Sequence, residues 1–200
     1  MKDRKLFNIE LGRITADEYR TVRPSSGTVL VLDNIRSAHN VGSAFRTADA
    51  FGVDKIYLGG ICPVPPSPEL HKVALGAEEV VPFEHVSDVV DLVRRLQGEG
   101  YTVIAVEQTV NSVKLDEFQK AGEDTDFSEH RTFFCEEKSV SPPAETKSRK
   151  FALVFGNEVA GVQQEVVDAC DFALEIPQKG TKHSLNVSVS IGVVLWGLRP

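Results

Sequence analysis

Three polar segments of the chain carry side chains that could take part in chemistry, and each follows a short apolar run. They are residues 33–52, 151–161 and 174–190. In the third segment a proline stops the apolar run, a polar loop follows, and Ser184 and Asn186 stand at the opening of an apolar helix. Free backbone N–H groups at a helix start, beside loop carbonyls, are suited to binding a polar small molecule. The three segments together predict one binding site.

The first segment contains an asparagine and an arginine six residues apart, Asn40 and Arg46. Asn40 is predicted to cap a helix over residues 41–51 that ends at Gly52. Arg46 then lies two turns along the helix, away from its core face. Its rigid guanidinium suits a phosphate or a ribose, but Asn40 could also be only a cap, with Arg46 paired to Asp49. Local sequence leaves both interpretations open.

The second segment places a carboxylate directly after a glycine turn, in Gly156-Asn157-Glu158. A glycine permits close approach of the backbone, and Glu158 could orient a cation or a hydroxyl. The spacing is not that of a dinucleotide-binding or Walker loop, and an ordinary turn from strand to helix has the same composition. This segment alone leaves a binding role and a purely structural role open.

Composition excludes several classes of protein. With 200 residues, 42% of them hydrophobic, the chain can bury the core of one compact domain. A net charge of −7 disfavours broad coating of nucleic acid but permits a local basic patch. The longest apolar stretch, residues 185–198, is too short to cross a bilayer, and no signal peptide is visible, so we expect no membrane partner and a cytoplasmic protein.

The cysteines and histidines predict no metal site and no disulfide. Cys62, Cys135 and Cys170 are far apart and form no CxxC pair, which favours a reducing compartment. No histidine has a partner at a spacing typical of metal ligands.

Alternating apolar and amphipathic runs predict an α/β fold. Strands are expected at residues 28–32, 55–58, 79–83, 101–106, 151–155 and 172–176, and helices at 41–51, 87–97, from 115, at 162–169 and at 184–198. Continuous apolar strands indicate a mostly parallel sheet flanked by helices on both faces. Ligands of such sheets lie at the carboxyl ends of the strands. We interpret residues 1–27 as a charged lead-in, 28–200 as one domain, and about 120–150 as a mobile insertion.

The three segments together resemble the motifs of the SpoU/TrmH-type RNA ribose 2'-O-methyltransferases of the SPOUT superfamily. The matching stretches are NVGSAFRTADAFG at 40–52, LVFGNE at 153–158, IP at 176–177 with SLNVS at 184–188, and ALGAE at 74–78. The resemblance runs from about residue 28 to 198. It implies that the C-terminal segment threads a deep trefoil knot, which periodicity does not predict.

The resemblance also implies a cofactor and partners. S-adenosyl-L-methionine is expected at Gly156, Ile176 and Leu185, with Glu107 supplying a further wall. A homodimer is expected through the C-terminal helix, with the site completed across the interface, and tRNA or rRNA is the expected substrate. A basic lead-in could help to bind that RNA through Arg4, Lys5, Arg13, Arg20 and Arg23.

For catalysis, the resemblance assigns Arg46 to activation of a ribose 2'-hydroxyl, with Asn40 and Glu158 holding the arginine. Ser184 and Asn186 are expected to shape the surroundings of the hydroxyl. Free arginine is always protonated, so Arg46 either stabilises the forming alkoxide or acts with a lowered proton affinity assisted by phosphate. Two other functions remain open from the sequence: a non-catalytic RNA-binding dimer, and a nucleotide-binding α/β enzyme acting on small molecules.

Overall fold

The computed structural model describes residues 4–7, 10, 12, 15, 17–19, 25–123, 150–181 and 184–198. Residues 124–149, most of the predicted insertion, lie outside the described residues, as do Arg13, Arg20 and Arg23 of the predicted lead-in. The division into a lead-in, a domain and an insertion therefore stays a prediction.

The described residues form a seven-stranded sheet in which every pairing is parallel. Its strands are β1 Thr28–Asp33, β2 Lys55–Gly59, β3 Phe83–Val86, β4 Thr102–Val106, β5 Val113–Lys114, β6 Phe151–Phe155 and β7 Phe172–Glu175. Their spatial order is β3-β2-β1-β6-β4-β7-β5. The prediction of a parallel α/β sheet is confirmed.

Helices cover both faces of this sheet. They are α1 Ala38–Phe51, α2 Pro68–Ala74, α3 Ala77–Val80, α4 Val89–Gly98, α5 Leu115–Glu123, α6 Gln164–Ala169 and α7 Val187–Gly197. Strand residues alternate between the two sides: Leu30 and Leu32 pack with α1 and α7, whereas Val29 and Val31 pack with α4 and α6. Both faces of the sheet are therefore buried, as near-continuous apolar strands require.

Three predicted boundaries are wrong. Helix α1 begins at Ala38, because Ser37 rather than Asn40 caps it and accepts the Asn40 N–H at 3.2 Å. Residues 79–83 are not a strand, since α3 occupies Ala77–Val80 and β3 starts only at Phe83. Helix α7 begins at Val187, because the Asn186 side chain accepts the N–H of Ser188 as an N-cap.

Helix α2 lies in a stretch that the composition predicts to be a loop. Ser67 caps it by accepting the N–H of Leu70, and Pro68 occupies the first turn, where a missing N–H costs nothing. This signal stands in the sequence at the end of a proline-rich stretch that was interpreted only as a loop.

The sheet brings its loops together at one edge. Strand β6 lies at the centre, between β1 and β4, and β7 is the next strand beyond β4. The chain leaves β7 and returns to place α7 against α1. The trefoil knot stays a prediction. None of the described helices is both long enough and apolar enough to span a membrane.

Candidate active site

A cavity of about 490 Å³ opens at the carboxyl ends of β4, β6 and β7. Three loops form its wall, at residues 106–108, 155–161 and 174–190. Seven of the nine predicted site residues line it: Glu107, Gly156, Glu158, Ile176, Ser184, Leu185 and Asn186. The expectation that the polar segments meet at the carboxyl edge of the sheet agrees with this arrangement, although the chemical roles of these residues remain predictions.

A chain of side-chain hydrogen bonds joins all three polar segments at the edge of this cavity. The Asn40 amide donates to Glu158 Oε1 at 2.5 Å, and its oxygen accepts a hydrogen bond from the Asn186 amide at 3.3 Å. The Asn186 oxygen in turn accepts the Ser188 hydroxyl at 2.6 Å and the Ser188 N–H at 2.9 Å. All the donors point the same way, toward the carboxylate of Glu158, so successive bonds polarise one another.

The loop that carries Glu158 is closed tightly by its own groups. The backbones of Asn157 and Gly161 exchange two hydrogen bonds of 3.0 Å. The Asn157 side-chain oxygen accepts the N–H groups of Val159 and Ala160 at 3.0 and 2.9 Å. A Cβ on Gly156 would lie 1.9 Å from the Gly161 carbonyl carbon, so only glycine fits this approach. This geometry holds Glu158 at the rim of the cavity.

Glu107 fastens two of the loops together. Its Oε2 accepts the Val162 N–H at 3.0 Å, and its Oε1 accepts the Gln108 N–H at 2.8 Å. A Cβ on Gly161 would fall 2.1 Å from Glu107 Oε2. The predicted role of Glu107 as a wall of the cavity therefore has a visible physical basis, because its carboxylate orders the backbone of the neighbouring loop.

The cap of α7 explains how the third segment reaches the site. Asn186 satisfies one free N–H group at the start of α7, that of Ser188, with its side-chain oxygen. Its amide nitrogen is left to bond Asn40. Ser184 and Leu185 precede this cap and face the cavity, and Leu185 remains 39% exposed.

Arg46 does not enter the cavity of its own chain. It is exposed and makes no hydrogen bond or ion pair with any residue that the structure describes. Along α1 it stands about 9 Å beyond Asn40 and about 120° around the axis from it. The expectation that Asn40 and Glu158 hold Arg46 is not met within one chain, because these two residues bond each other instead. The alternative pairing of Arg46 with Asp49 is also not seen.

Two residues at the edge escaped the sequence analysis. Asp33 ends β1 fully buried, and its carboxylate accepts the Gln163 N–H at 3.0 Å and the Asn34 amide at 2.8 Å. Asn157 closes the loop described above. An acidic residue at the end of a buried apolar strand, such as Asp33, can be recognised in the sequence. Its buried carboxylate needs hydrogen-bond donors from the protein, so it is predicted to order the neighbouring loops.

The described cysteines are unsuited to nucleophilic chemistry. Burial raises the pKa of Cys62 to about 11 and that of Cys170 to about 12. Cys62 also donates to the Leu32 carbonyl and accepts the Ile35 N–H. Since the thiolate is the reactive form, both residues are structural.

The ALGAE segment shapes the turn between α2 and α3 rather than the cavity. Leu75 and Gly76 both have positive φ, 53° and 92°. The Glu78 carboxylate, with only 7% of its side chain exposed, accepts the Gly76 N–H and bonds His71 Nδ1. The turn is held by this buried carboxylate.

A parallel α/β sheet with three loops enclosing a cavity at its carboxyl edge defines a class of ligand-binding domains, and comparison with known proteins identifies the family. The sequence profile of the SpoU rRNA Methylase family matches residues 27–196. The chain belongs to this family.

Individual relatives agree. The chain is 29% identical over 174 residues to the 23S rRNA (guanosine-2'-O-)-methyltransferase RlmB of Coxiella burnetii, covering 87% of this chain and 58% of that protein. It is 31% identical over 172 residues to the protein of the same name from Nitrosomonas europaea, covering 84% and 54%. The chain thus spans little more than half the length of these relatives.

A solved structure shows the same fold. The rRNA methyltransferase from Sinorhizobium meliloti with bound AdoMet superimposes with a TM-score of 0.66 at 27% identity. The match covers 89% of this chain and 58% of that one.

Proposed function

We propose that this chain is an S-adenosyl-L-methionine-dependent RNA methyltransferase that modifies a ribose 2'-hydroxyl of tRNA or rRNA. One observation carries the proposal: the hydrogen-bonded chain from Asn186 through Asn40 to Glu158, at the rim of a cavity built by the family's motif loops. The relatives' names point to the same reaction on rRNA. RNA substrates of this kind support a cytoplasmic location, which is part of the proposal.

The cavity suits the proposed cofactor in size and chemistry. Its volume of about 490 Å³ falls within the range of about 300–1,000 Å³ typical of small-molecule sites. Ile176, Leu185 and Val106 offer apolar surface for an adenine ring, and Gly156 lets the backbone approach closely. When bound, the sulfonium of S-adenosyl-L-methionine supplies an electrophilic methyl group.

The chain's own residues must then activate a weak nucleophile. Arg46 stabilises the negative charge that develops on the 2' oxygen. The leaving proton goes to Glu158. Its Oε1 is bonded by Asn40, while Oε2 makes no hydrogen bond to any described residue and can accept the proton. Asn40 and Asn186 orient that carboxylate.

A second copy of the chain brings Arg46 to the site. Helix α7 exposes an apolar stripe, with Val189 49%, Val193 36% and Trp196 61% exposed. These residues lie within one face of the helix, beside α1, where Trp196 meets Phe51. A homodimer through this stripe buries the apolar surface. It also places the outward face of α1, with Arg46, against the partner's site.

Methyl transfer tests the proposal directly. Purified protein is incubated with S-adenosyl-L-methionine labelled in its methyl group and with unmodified tRNA and rRNA transcripts, and ribose methylation is mapped. Arg46→Ala should lower kcat by at least about 100-fold, with unchanged affinity for S-adenosylhomocysteine by calorimetry. Arg94→Ala removes an exposed arginine of α4 that pairs with Asp91, and serves as the matched control.

Three outcomes would contradict the proposal in different ways. Full activity of Arg46→Ala refutes the role of that residue. Binding of RNA without any transfer by the unaltered protein favours a non-catalytic RNA-binding dimer. Tighter binding of NAD or ATP than of S-adenosylhomocysteine favours an enzyme of small molecules.

A further inference from the structure

Cations are scarce in this chain, and many of those that the structure describes are occupied elsewhere. Lys55 and Arg95 both bond Glu84, at 2.6 and 2.9 Å, and hold the pKa of that carboxyl below its ordinary value. Arg94 and Lys114 pair with acids on neighbouring positions of the chain. These charges are largely compensated and attract phosphate weakly.

Two exposed cations in loops that follow strands of the sheet have no such partners among the described residues. Arg36 precedes the cap of α1, and Lys179 lies in the loop between β7 and α7. Neither forms a hydrogen bond or ion pair with the part of the chain that the structure describes. Both stand at the carboxyl edge of the sheet, three residues after β1 and four residues after β7 respectively.

Strand register places these two residues on opposite flanks of the site. Strand β1 pairs with β6 so that Leu32 stands beside Phe155, which sets Arg36 across from the loop that carries Glu158. On the other side, β4 and then β7 follow β6 in the sheet. Three strand spacings separate β1 from β7, which amounts to about 14 Å. In the strand order, β6 and β4, which lead into the loops of Glu158 and Glu107, lie between β1 and β7.

Three carboxylates along this edge accept hydrogen bonds from within the protein, Glu158 through Oε1 alone. Asp33 is bonded by Gln163 and Asn34, Glu107 accepts two backbone N–H groups, and Glu158 is bonded by Asn40. Glu175, which also lines the cavity, is the exception. These hydrogen bonds engage the three carboxylates within the protein, whereas the exposed Arg36 and Lys179 keep their donors available for a phosphate.

We propose that Arg36 and Lys179 bind backbone phosphates on the two sides of the target nucleotide, in an unpaired RNA strand laid across the cavity. The inference rests on the proposed function and names the form of RNA it takes. Arginine meets a phosphate with a planar fork of donors, and lysine meets it as a point charge. An unpaired strand lets one ribose turn into the cavity while its neighbouring phosphates stay on the flanks.

Salt-dependent binding of RNA without cofactor tests this inference. The variants Arg36→Gln and Lys179→Gln are titrated with a short unstructured oligouridine over a range of salt concentrations. Each lost phosphate contact should lower the slope of log affinity against log salt by about 0.7, as for single strands. Each should also raise Kd roughly fivefold at low salt.

The matched control is Lys120→Gln. Lys120 is an exposed cation of α5 that forms no hydrogen bond or ion pair with any described residue. It lies about 8 Å along α5 from Leu115, the residue at which that helix leaves the carboxyl end of β5. All three variants lose one positive charge, so a general charge effect would move all three slopes alike. Unchanged affinity for S-adenosylhomocysteine shows that each variant retains its fold.

The outcomes separate this inference from the proposed function. Slopes for Arg36→Gln and Lys179→Gln equal to that of Lys120→Gln overturn the inference, whether or not methyl transfer occurs. An RNA duplex of the same length that competes as well as oligouridine overturns the choice of an unpaired strand. Failure of methyl transfer with altered slopes for the two flank variants supports the RNA path but refutes the enzyme.

Discussion

Asn40 is the residue at which the three polar segments meet. A primary amide carries a donor and an acceptor on separate atoms, and Asn40 uses the donor toward Glu158 and the acceptor toward Asn186. This use is possible because Ser37 takes over the capping of α1. The side chain of Asn40, freed from the helix end, points to the neighbouring loops.

At this scale we predict that Asn40→Asp abolishes activity. The substitution keeps the shape of the side chain but sets a carboxylate against the carboxylate of Glu158, and like charges at that distance repel. We expect kcat for methyl transfer to fall by at least about 100-fold, with a smaller change in the KM for RNA. Activity within twofold of the unaltered protein would show that the hydrogen-bonded chain has no part in the reaction.

The loop at residues 156–161 is the element that determines where Glu158 stands. It turns on backbone bonds between Asn157 and Gly161, and Glu107 anchors its far end through the Val162 N–H. Gly156 sits where a side chain would strike this backbone. The loop is therefore held rigidly by its hydrogen bonds, and a rigid element positions a functional group more precisely than a mobile loop does.

Gly156→Ala should disrupt the loop at residues 156–161. A Cβ 1.9 Å from the Gly161 carbonyl carbon must push the two loop strands apart. We expect a loss of about 1–3 kcal/mol in the free energy of unfolding and a loss of S-adenosylhomocysteine binding, both measured on the purified variant. Gly180→Ala is the matched control, because no atom of the described residues lies within 4 Å of its added Cβ. Equal behaviour of the two variants would show that the close approach at Gly156 is unimportant.

The sequence predicts elements better than it predicts their ends. Apolar runs located β1, β2, β4, β6 and β7, because a strand buried on both faces must be apolar throughout. The predicted strand at residues 79–83 is wrong, since Glu78 and Gly76 hold a helical turn there by hydrogen bonds that apolar periodicity does not register. Helix α7 starts at Val187, three residues later than predicted, because the polar residues that precede and cap a helix resemble those of its first turn.

At the scale of the whole molecule, Arg46 and the apolar stripe on α7 point to the same requirement. Arg46 is exposed and does not line the cavity of its own chain, while Val189, Val193 and Trp196 remain exposed on α7. A dimer with twofold symmetry uses the same surface on both copies. The dimer that we propose covers the stripe with such an interface and offers each Arg46 to the other copy's site.

Mixing two inactive variants tests this sharing. Arg46→Ala and Asn186→Ala should each be inactive alone. After subunit exchange, half of the dimers carry one of each, and each mixed dimer has one intact site. The mixture should therefore regain about a quarter of the unaltered activity. Native mass spectrometry confirms that exchange has occurred.

Two results would contradict the shared site. A mixture that stays inactive after complete exchange shows that Arg46 serves the cavity of its own chain. A chain that sediments as a monomer at the assay concentration shows that no second copy is needed.

The class of fold is predictable from the sequence, because strand burial and helix amphipathicity leave local periodic patterns, whereas the motif residues are recognisable through their resemblance to the family. Seven of the nine predicted site residues line one cavity, because parallel strands present their carboxyl ends at one edge of the sheet. The hydrogen-bond partner of each of these side chains is visible only in the folded structure. Asn40 and Glu158 are 118 positions apart, and no local pattern encodes their hydrogen bond or the outward direction of Arg46. Those relations depend on strand order, and strand order is a property of the folded chain.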